Sequence, residues 1–212
     1  MSGPAAPEIT DGRRRKGEER RRLLREATMR VVGRGGVAAV TQRAVAAEAG
    51  MTPSLVSYHF PTVDALLSAT LAAVNDAYVA ALERCAQEDD PVRALAELVA
   101  LQAADRTDAL AAEYELFLQA GRRPALRDEW MRWTTALDAL LAPLVPDRTA
   151  RVAAAAGVDG LFLRCWCDPA PWSAAACEDV LRALLPAGSR AGAAAGRGAT
   201  VGPPTARGGG RR

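Results

Sequence analysis

The residues TQRAVAAEAGMTPSLVSYHF, numbered 41–60, carry the most informative local pattern in this chain of 212 residues. Thr41 and Thr52 each precede a short run of helix-forming residues, and a threonine hydroxyl there can cap the first turn of a helix. Pro53 stands at the first position of the second run, where a helix does not need its missing N–H. Gly50 permits the left-handed backbone that ends the first run. The pattern predicts a helix-turn-helix, that is, two short helices joined by a tight turn.

The second predicted helix carries a cluster of polar side chains that includes the only histidine of the chain. We expect its apolar residues Leu55, Val56 and Phe60 to face the core. Hydroxyl, phenol and imidazole groups that can reach base edges and phosphates remain at Ser54, Ser57, Tyr58 and His59. Each of these, taken alone, fits a solvated or structural role at least as well. Catalysis by the histidine is not expected, because no acid or nucleophile stands at a spacing that would bring it close.

Charge is distributed unevenly along the chain, although the net formal charge is only +2. Residues 13–34 contain ten Arg or Lys and three Glu, a net charge of +7, and residues 187–212 contain five Arg and no acid. The remaining residues together carry −10. A basic N-terminal end on an acidic body predicts a polyanionic partner at that end. The alternative is a solvated, arginine-rich helix face that binds nothing. Together with the helix-turn-helix, the basic segment favours double-stranded DNA as the partner.

Helical periodicity continues through the rest of the chain, and no convincing alternating strand pattern is present. One apolar stripe recurs at steps of three and four residues through Leu67, Leu71, Val74, Tyr78, Ala81, Leu82 and Cys85. It predicts a helix of six or seven turns that starts near Thr62. Glycine and proline breakers divide the chain into about nine helices, and Ser173 caps the last of them.

The predicted architecture is therefore all-α. A three-helix DNA-binding domain with the helix-turn-helix is expected at 13–61, followed by a larger helical domain at 62–186. Residues 1–12 and 187–212 are expected to be disordered, because they lack an apolar stripe.

Targeting and cysteine patterns predict a cytoplasmic protein without a membrane partner. No uninterrupted apolar run of membrane-spanning length and no signal peptide is present. The four cysteines are expected to be reduced, and Cys165 and Cys167 flank a tryptophan in a CWC run. A redox-responsive or metal-responsive DNA-binding regulator is the alternative that this run suggests. Because Cys-x-Cys without a nearby histidine lacks the paired spacing of a zinc site, neither a metal nor a cofactor is expected.

The run RRLLREATMRVVGRGGVAAVTQRAVAAEAGMTPSLVSYHFPTVDALLSATL, residues 21–71, resembles the N-terminal domain of the TetR family of bacterial transcriptional regulators. The shared features are an arginine-rich first helix, a glycine turn, a Thr-capped helix and a recognition helix that ends in Tyr-His-Phe. The segment YELFLQAGRRPALRDEW, residues 114–130, resembles actinobacterial members of the family. The resemblance implies an all-α homodimer whose larger domain binds an effector and dimerises, while the fourth helix passes movement to the recognition helices. It implies no enzymatic activity, and the sequence offers no acid, base and nucleophile at workable spacing.

By position, the resemblance assigns operator contacts to Thr41, Arg43, Thr52, Pro53, Ser54, Ser57, Tyr58 and His59. The two threonines and the last two residues would bind phosphates, and the arginine would reach the DNA backbone or a base. The proline and the two serines would face bases. The chain departs from the family at Val63, where a lysine is usual, and the arginines of the first helix are candidates to replace that phosphate contact.

Large side chains are concentrated in the segments predicted to form the larger domain. An effector pocket is expected to be lined by Tyr78, Tyr114, Phe117, Leu118, Trp130, Trp133, Phe162 and Trp166. Glu113, Glu115 and Gln119 are possible polar contacts, and ordinary core packing is the alternative for any one aromatic residue. Such a pocket suits a small hydrophobic or aromatic effector, which would release a repressor from DNA by binding the DNA-incompetent state more tightly.

The last two predicted helices lie where the family forms a dimer interface of four helices. Small or apolar residues that would permit close contact between subunits are Ala153, Ala156, Gly157, Gly160, Leu161 and Leu184. Packing within one chain is the alternative interpretation of the same residues.

Overall fold

The computed structural model describes residues 8–104 and 108–185, and every regular element in these ranges is a helix. The α-helices are α1 (Glu8–Gly35), α2 (Gln42–Ala49), α3 (Pro53–His59), α4 (Val63–Cys85), α5 (Pro91–Ala104), α6 (Asp108–Gln119), α7 (Arg127–Leu141), α8 (Arg148–Cys167) and α9 (Ala174–Leu184). Short 3₁₀ turns occupy Val37–Ala39 and Pro124–Leu126. The predicted all-α class is confirmed.

The predicted helix caps form as the sequence indicated. The side-chain oxygens of Thr41, Thr52, Thr62 and Ser173 each accept a hydrogen bond from the backbone N–H three residues further on. Gly50 ends α2 with a φ of 64° and a ψ of 32°, in the left-handed region. These local bonds satisfy amide groups that a helix start leaves without partners, and they position α2 and α3 as a helix-turn-helix.

The first apolar core, which we call the N-terminal core, is built by α1 to α3 together with the first half of α4 and one face of α6. Val56 and Phe60 of α3 are buried in it, as expected, whereas Leu55 is only half-buried. Helix α6 contributes Ala112 and Leu116. The packing of the N-terminal core therefore continues past the expected domain boundary at residue 61.

The second core is built by the later part of α4 with α5, α7, α8 and α9. Its central residues include Leu82, Leu95, Leu137, Val158 and Leu181. Helix α4 therefore supplies side chains to both cores. Among the described residues, α4 is the one helix long and apolar enough to cross a membrane, but a core helix passes the same test, so this is weak evidence.

The start of helix α1 differs from the sequence-based prediction. It begins at Glu8, so residues 8–12, expected to be disordered, are helical in the structure. Extension of an existing helix adds one hydrogen bond for each residue that is ordered, which makes such an extension inexpensive. At the other end α1 continues to Gly35, and Gly36 interrupts it with a φ of 72°. The rest of the expected disordered segments, residues 1–7 and 187–212, lies outside the described residues.

Candidate functional site

The helix-turn-helix formed by α2 and α3 presents most of the residues predicted to contact DNA to solvent. Six of the eight are exposed: Thr41, Arg43, Thr52, Pro53, Ser54 and Tyr58. The phenol of Tyr58 is especially prominent, because 80% of the residue surface is accessible although it stands next to the buried end of the helix. An exposed aromatic residue beside exposed hydroxyls on a capped helix is available to a partner without any rearrangement of the core.

Ser57 is held within the protein by an anchor that the sequence-based prediction missed. Its Oγ donates a 2.7 Å hydrogen bond to Oε1 of Gln42, the first residue of α2. The Nε2 of Gln42 in turn donates to the carbonyls of Phe60 and Pro61, each at 3.1 Å. Gln42 thus ties the start of α2 to both the middle and the end of α3. The sequence did show a polar residue, Gln42, directly after the Thr41 cap. Its hydrogen-bond partners could not be predicted, because they lie 15 to 19 residues away.

His59 is placed differently from a simple phosphate ligand. Its Nε2 is buried and has no hydrogen-bond partner among the described residues, so a phosphate would have to be reached through Nδ1. Desolvation lowers the pKa of the imidazole, and the neighbouring charges of Arg21 and Arg20 lower it further. Arg21 donates a 3.0 Å hydrogen bond to the carbonyl of His59 and lies 4.5 Å from the ring centre of Phe60. This arginine clamps the end of α3 onto α1.

Val63, which replaces the lysine usual in the family, packs on the N-terminal core. The next residue, Asp64, forms an ion pair with Arg123 from the turn between α6 and α7. The start of α4 is therefore fixed by an apolar contact and by an ion pair with the effector-domain side of the molecule.

A cavity of about 280 Å³ lies between α4, α6, α7 and α8. Seven of the eight residues expected in an effector pocket line it: Tyr78, Tyr114, Phe117, Leu118, Trp130, Trp133 and Phe162. Trp166 is the exception, because it stacks on Tyr114 with the ring centres 5.6 Å apart and supports the wall rather than lining it. The lining residues that were not expected there are Leu110, Asp159, Gly160 and Leu163, whereas Glu113 was foreseen as a polar contact.

Two carboxyl groups face this aromatic cavity. Oε2 of Glu113 accepts a 2.8 Å hydrogen bond from the hydroxyl of Tyr78, and Oδ1 of Asp159 accepts one of 3.1 Å from the indole N–H of Trp133. Burial raises the pKa of Asp159, and the indole hydrogen bond opposes that shift only in part. Burial and the charge of Glu113 raise the pKa of Tyr78 well above its usual range. None of the described lining residues is Lys, Arg or His.

Helix α6 connects the cavity to the DNA-binding half of the molecule. One of its faces carries Glu113 and other cavity residues, and another is buried in the N-terminal core. From this second face, Oε1 of Glu115 accepts a 2.6 Å hydrogen bond from the backbone N–H of Val37, in the turn before α2. A Cβ on Gly36 would lie 3.0 Å from the same carboxylate oxygen, so only glycine leaves this approach unobstructed.

An exposed stripe of small and apolar residues runs along α8 and comprises Val152, Ala153, Ala156, Gly160, Leu163 and Cys167. Three of the six residues expected at a dimer interface lie on it. Leu161 does not, since it is only 3% exposed and belongs to the second core, one residue and thus about 100° around the helix from Gly160. Gly157, also expected at the dimer interface, faces its own subunit instead. A Cβ at this position would lie 2.9 Å from Leu184 of the same chain. Leu161 and Gly157 therefore serve packing within one subunit, and Leu184, half-buried on α9, packs against the second core.

Three of the four cysteines, Cys85, Cys165 and Cys177, are buried, and Cys167 is exposed. Cys165 and Cys177 are buried with their sulfur atoms 3.8 Å apart, and burial raises the pKa of Cys165 to about 12. Buried thiols with a raised pKa are poor nucleophiles and poor redox sensors. Within the described ranges, no group of three or more His, Cys, Asp or Glu residues is arranged to hold a metal ion.

Comparisons with known proteins agree with this arrangement. Residues 24–70 match the family described as bacterial regulatory proteins, tetR family, and residues 86–187 match the tetracyclin repressor-like C-terminal domain. The HTH-type transcriptional regulator BetI of Rhizobium meliloti is 33% identical over 186 residues, which cover 78% of this chain and 89% of that protein. BetI of Burkholderia mallei is 33% identical over 159 residues, 69% of this chain and 82% of that one.

Solved structures give the same result. The multidrug binding protein EbrR in complex with malachite green superposes with a TM-score of 0.68 at 34% identity, over 79% of this chain and 99% of EbrR. A TetR family member from Streptomyces coelicolor A3 gives a TM-score of 0.69 at 36% identity over the same shares. The chain therefore belongs to the TetR family of bacterial transcriptional regulators, and it is a DNA-binding regulator with a small-molecule effector.

Proposed function

We propose that this protein is a homodimeric repressor that leaves its operator when an aromatic organic cation fills the cavity. The observation that carries this proposal is the pair of carboxyl groups, Glu113 and Asp159, in a cavity whose other lining residues are almost all apolar or aromatic. Aromatic walls and carboxylates together select for a flat or branched apolar molecule with a delocalised positive charge.

The electrostatic reason is the unfavourable burial of Asp159 in the free protein. Burial raises its pKa, which means that the charged form is poorly solvated where it stands. A bound cation would supply the missing counter-charge, and the rings of Trp133 and Tyr78 would face it. A neutral ligand of the same shape would fill the space but would leave that carboxylate without a counter-ion.

Solved relatives support the same ligand class. EbrR has been crystallised in complexes with ethidium, malachite green and proflavin, and the first of these complexes is 34% identical to this chain with a TM-score of 0.66. These are properties of EbrR. The dyes that EbrR binds agree with the charge and shape of the cavity in this chain. An effector of this class is our proposal for this protein.

We further propose that the exposed residues of the helix-turn-helix read the operator. In this proposal Pro53 and Ser54 contact bases, Arg43 reaches the backbone or a base, and Tyr58 binds a phosphate together with the two capping threonines. Ser57 and His59, which were also expected to touch DNA, are assigned to the same surface with a second role in positioning α3. Small residues dominate the base-facing positions, so shape and backbone contacts would contribute much of the selectivity.

We propose that the dimer forms through the exposed stripe of α8. Of the residues that the sequence predicted at the interface, this proposal keeps Ala153, Ala156 and Gly160, and it adds Val152 and Leu163. An exposed apolar helix face of this kind is typical of a subunit interface. Analytical ultracentrifugation of an Ala156→Glu variant, with Ala86→Glu in an exposed turn as its control, tests the assignment. A dimer that persists in Ala156→Glu would place the interface elsewhere.

The effector is proposed to act through α6. A cation seated against Glu113 and Asp159 would favour one position of α6, and Glu115 would pass that position to the turn at Val37 and so to α2 and α3. An effector shifts the equilibrium by its differential affinity for the two states. We propose that the protein catalyses no reaction and acts in the cytoplasm. We also propose that it is related to the actinobacterial members of the family. The Streptomyces match supports this relationship, although the curated relatives come from Rhizobium and Burkholderia.

Calorimetry with proflavin and acridine tests the ligand class, at a pH where proflavin is a cation and acridine is neutral. The same titration with Asp159→Asn shows whether the difference depends on that carboxyl. Fluorescence anisotropy of a labelled operator duplex, recovered by selection with the wild-type protein, then measures release. The proposal predicts tight binding and release by proflavin only. Equal binding of the two dyes would overturn the cation assignment.

A further inference from the structure

The N-terminal part of α1 has no packing partner among the described residues. Leu24 is the first residue of this helix to be buried in the N-terminal core. The residues before it, from 13 to 16 and from 18 to 20, are all exposed. About two helical turns therefore extend beyond the body of the domain. We call residues 13–20 the basic arm.

The five basic side chains of the basic arm form no ion pair among the described residues. They are Arg13, Arg14, Arg15, Lys16 and Arg20, whereas the two acids of the arm, Glu18 and Glu19, pair with Arg21, Arg22 and Arg25 beyond it. A helix that is polar on every side gains nothing from burial and needs another source of stabilisation. Three consecutive arginines and a lysine on such a helix form a site for a polyanion.

The position of the basic arm identifies which polyanion it meets. Arg21, the residue that follows the arm, donates a hydrogen bond to the carbonyl of His59 at the end of α3. The charge of Arg20 also acts on that histidine. The arm thus starts beside the recognition helix, and Arg13 stands eight residues away from this junction, about 12 Å along the helix.

We propose that the basic arm is a second DNA-binding surface, which binds phosphates of the duplex outside the base pairs that α3 reads. The inference rests on DNA binding through the helix-turn-helix and adds a contact to it. Duplex DNA carries one phosphate charge for roughly each 1.7 Å of axis, so an arm of this length spans several phosphates. Its contribution is independent of sequence and strongly dependent on salt.

The test uses the full chain with R13Q/R14Q/R15Q in the arm. The matched control is R84Q/R93Q/R148Q, which removes the same charge from exposed positions on the effector-binding half. Affinity is measured over a range of salt concentrations for two duplexes with the same selected operator, one with long flanks and one trimmed to the base pairs protected by the helix-turn-helix. Thermal unfolding checks that the arm variant retains its fold, as expected for residues that contact nothing.

We expect the arm variant to bind the long duplex at least about tenfold more weakly than wild type, with the slope of log K against log salt reduced by up to about 2.7 per subunit, at 0.9 per phosphate contact. The loss should disappear on the trimmed duplex, and base preference should not change. An arm variant that matches wild type, or that loses no more than the control, overturns the inference. Failure of the wild-type protein to bind any duplex would instead refute the operator-binding proposal.

Discussion

The surface of α3 and the cavity hold their polar groups in opposite surroundings. On α3, hydroxyl and phenol groups stand in water, with Tyr58 80% exposed, and the helix below them is rigidly anchored. In the cavity, the carboxyls of Glu113 and Asp159 lie among aromatic rings and accept hydrogen bonds from Tyr78 and Trp133. The first region is exposed to its partner, whereas in the second the burial of Asp159 raises its pKa, and the proposed cation would stabilise the charged form.

Because the two regions draw on different residues, most changes should affect one and leave the other intact. Helix α6 is the exception, since it lines the cavity and also packs in the N-terminal core, which includes Val56 of α3. Four changes exploit this separation.

The largest expected effect is the loss of cation binding in Asp159→Asn. The amide can still accept from the indole of Trp133, so the fold is preserved while the counter-charge is removed. We expect affinity for proflavin to fall by about 10- to 100-fold, roughly 1.4 to 2.7 kcal/mol. Calorimetry measures this effect, with Asp89→Asn in an exposed turn as the control. Unchanged affinity for the dye would exclude this carboxyl from recognition.

The reciprocal change is Gln42→Ala, which removes the anchor between α2 and α3. The hydrogen bonds to Ser57 and to the carbonyls of Phe60 and Pro61 are lost, so α3 is held less firmly. We expect operator affinity to fall about tenfold, the equivalent of one or two hydrogen bonds at about 1 kcal/mol each. Proflavin affinity should remain that of wild type. Anisotropy with the operator duplex measures the loss, and Gln87→Ala is the control; equal operator affinity in both variants would contradict the anchoring role.

A smaller effect is expected at the link between the regions. In Glu115→Ala the backbone N–H of Val37 loses its acceptor, so a movement of α6 is no longer transmitted to the turn before α2. The ratio of operator affinities without and with saturating proflavin should fall about fivefold, since coupling of this kind amounts to roughly 1 to 3 kcal/mol. Glu115→Gln keeps an acceptor oxygen and should behave as wild type. If both variants respond fully to the dye, coupling follows another route.

The smallest effect concerns stability and pH. The folded-state pKa of Asp159 is raised above the unfolded value, so the wild-type protein loses stability as the pH rises through that pKa. Asp159→Asn removes this loss and should be more stable than wild type at neutral pH. The difference should shrink as the pH falls through the folded-state pKa and should vanish below the unfolded pKa of aspartate. Urea unfolding at several pH values measures it, and a variant less stable than wild type at neutral pH would contradict the unfavourable burial.

Much of the DNA-binding half could be predicted from neighbouring residues. The caps at Thr41, Thr52 and Thr62 and the left-handed Gly50 depend on contacts within three or four positions, and all four formed as expected. Aromatic residues at helical spacing also indicated a pocket, because large side chains on several helices must meet somewhere. Leu161 shows where this reasoning fails: a shift of one residue turns a side chain from an exposed face into the core.

Residues 41–60 thus specify their own helices and turn, because the hydrogen bonds that create them are local. The cavity arises from packing between distant segments: Asp159 and Trp133 are 26 residues apart, and Tyr78 and Glu113 are 35 apart. No periodicity within either segment indicates such a meeting, since a carboxyl on a helix faces solvent unless another helix covers it. The packing of α4, α6, α7 and α8 places these two acids in the lining of an aromatic cavity. The charge of the proposed effector follows from that placement.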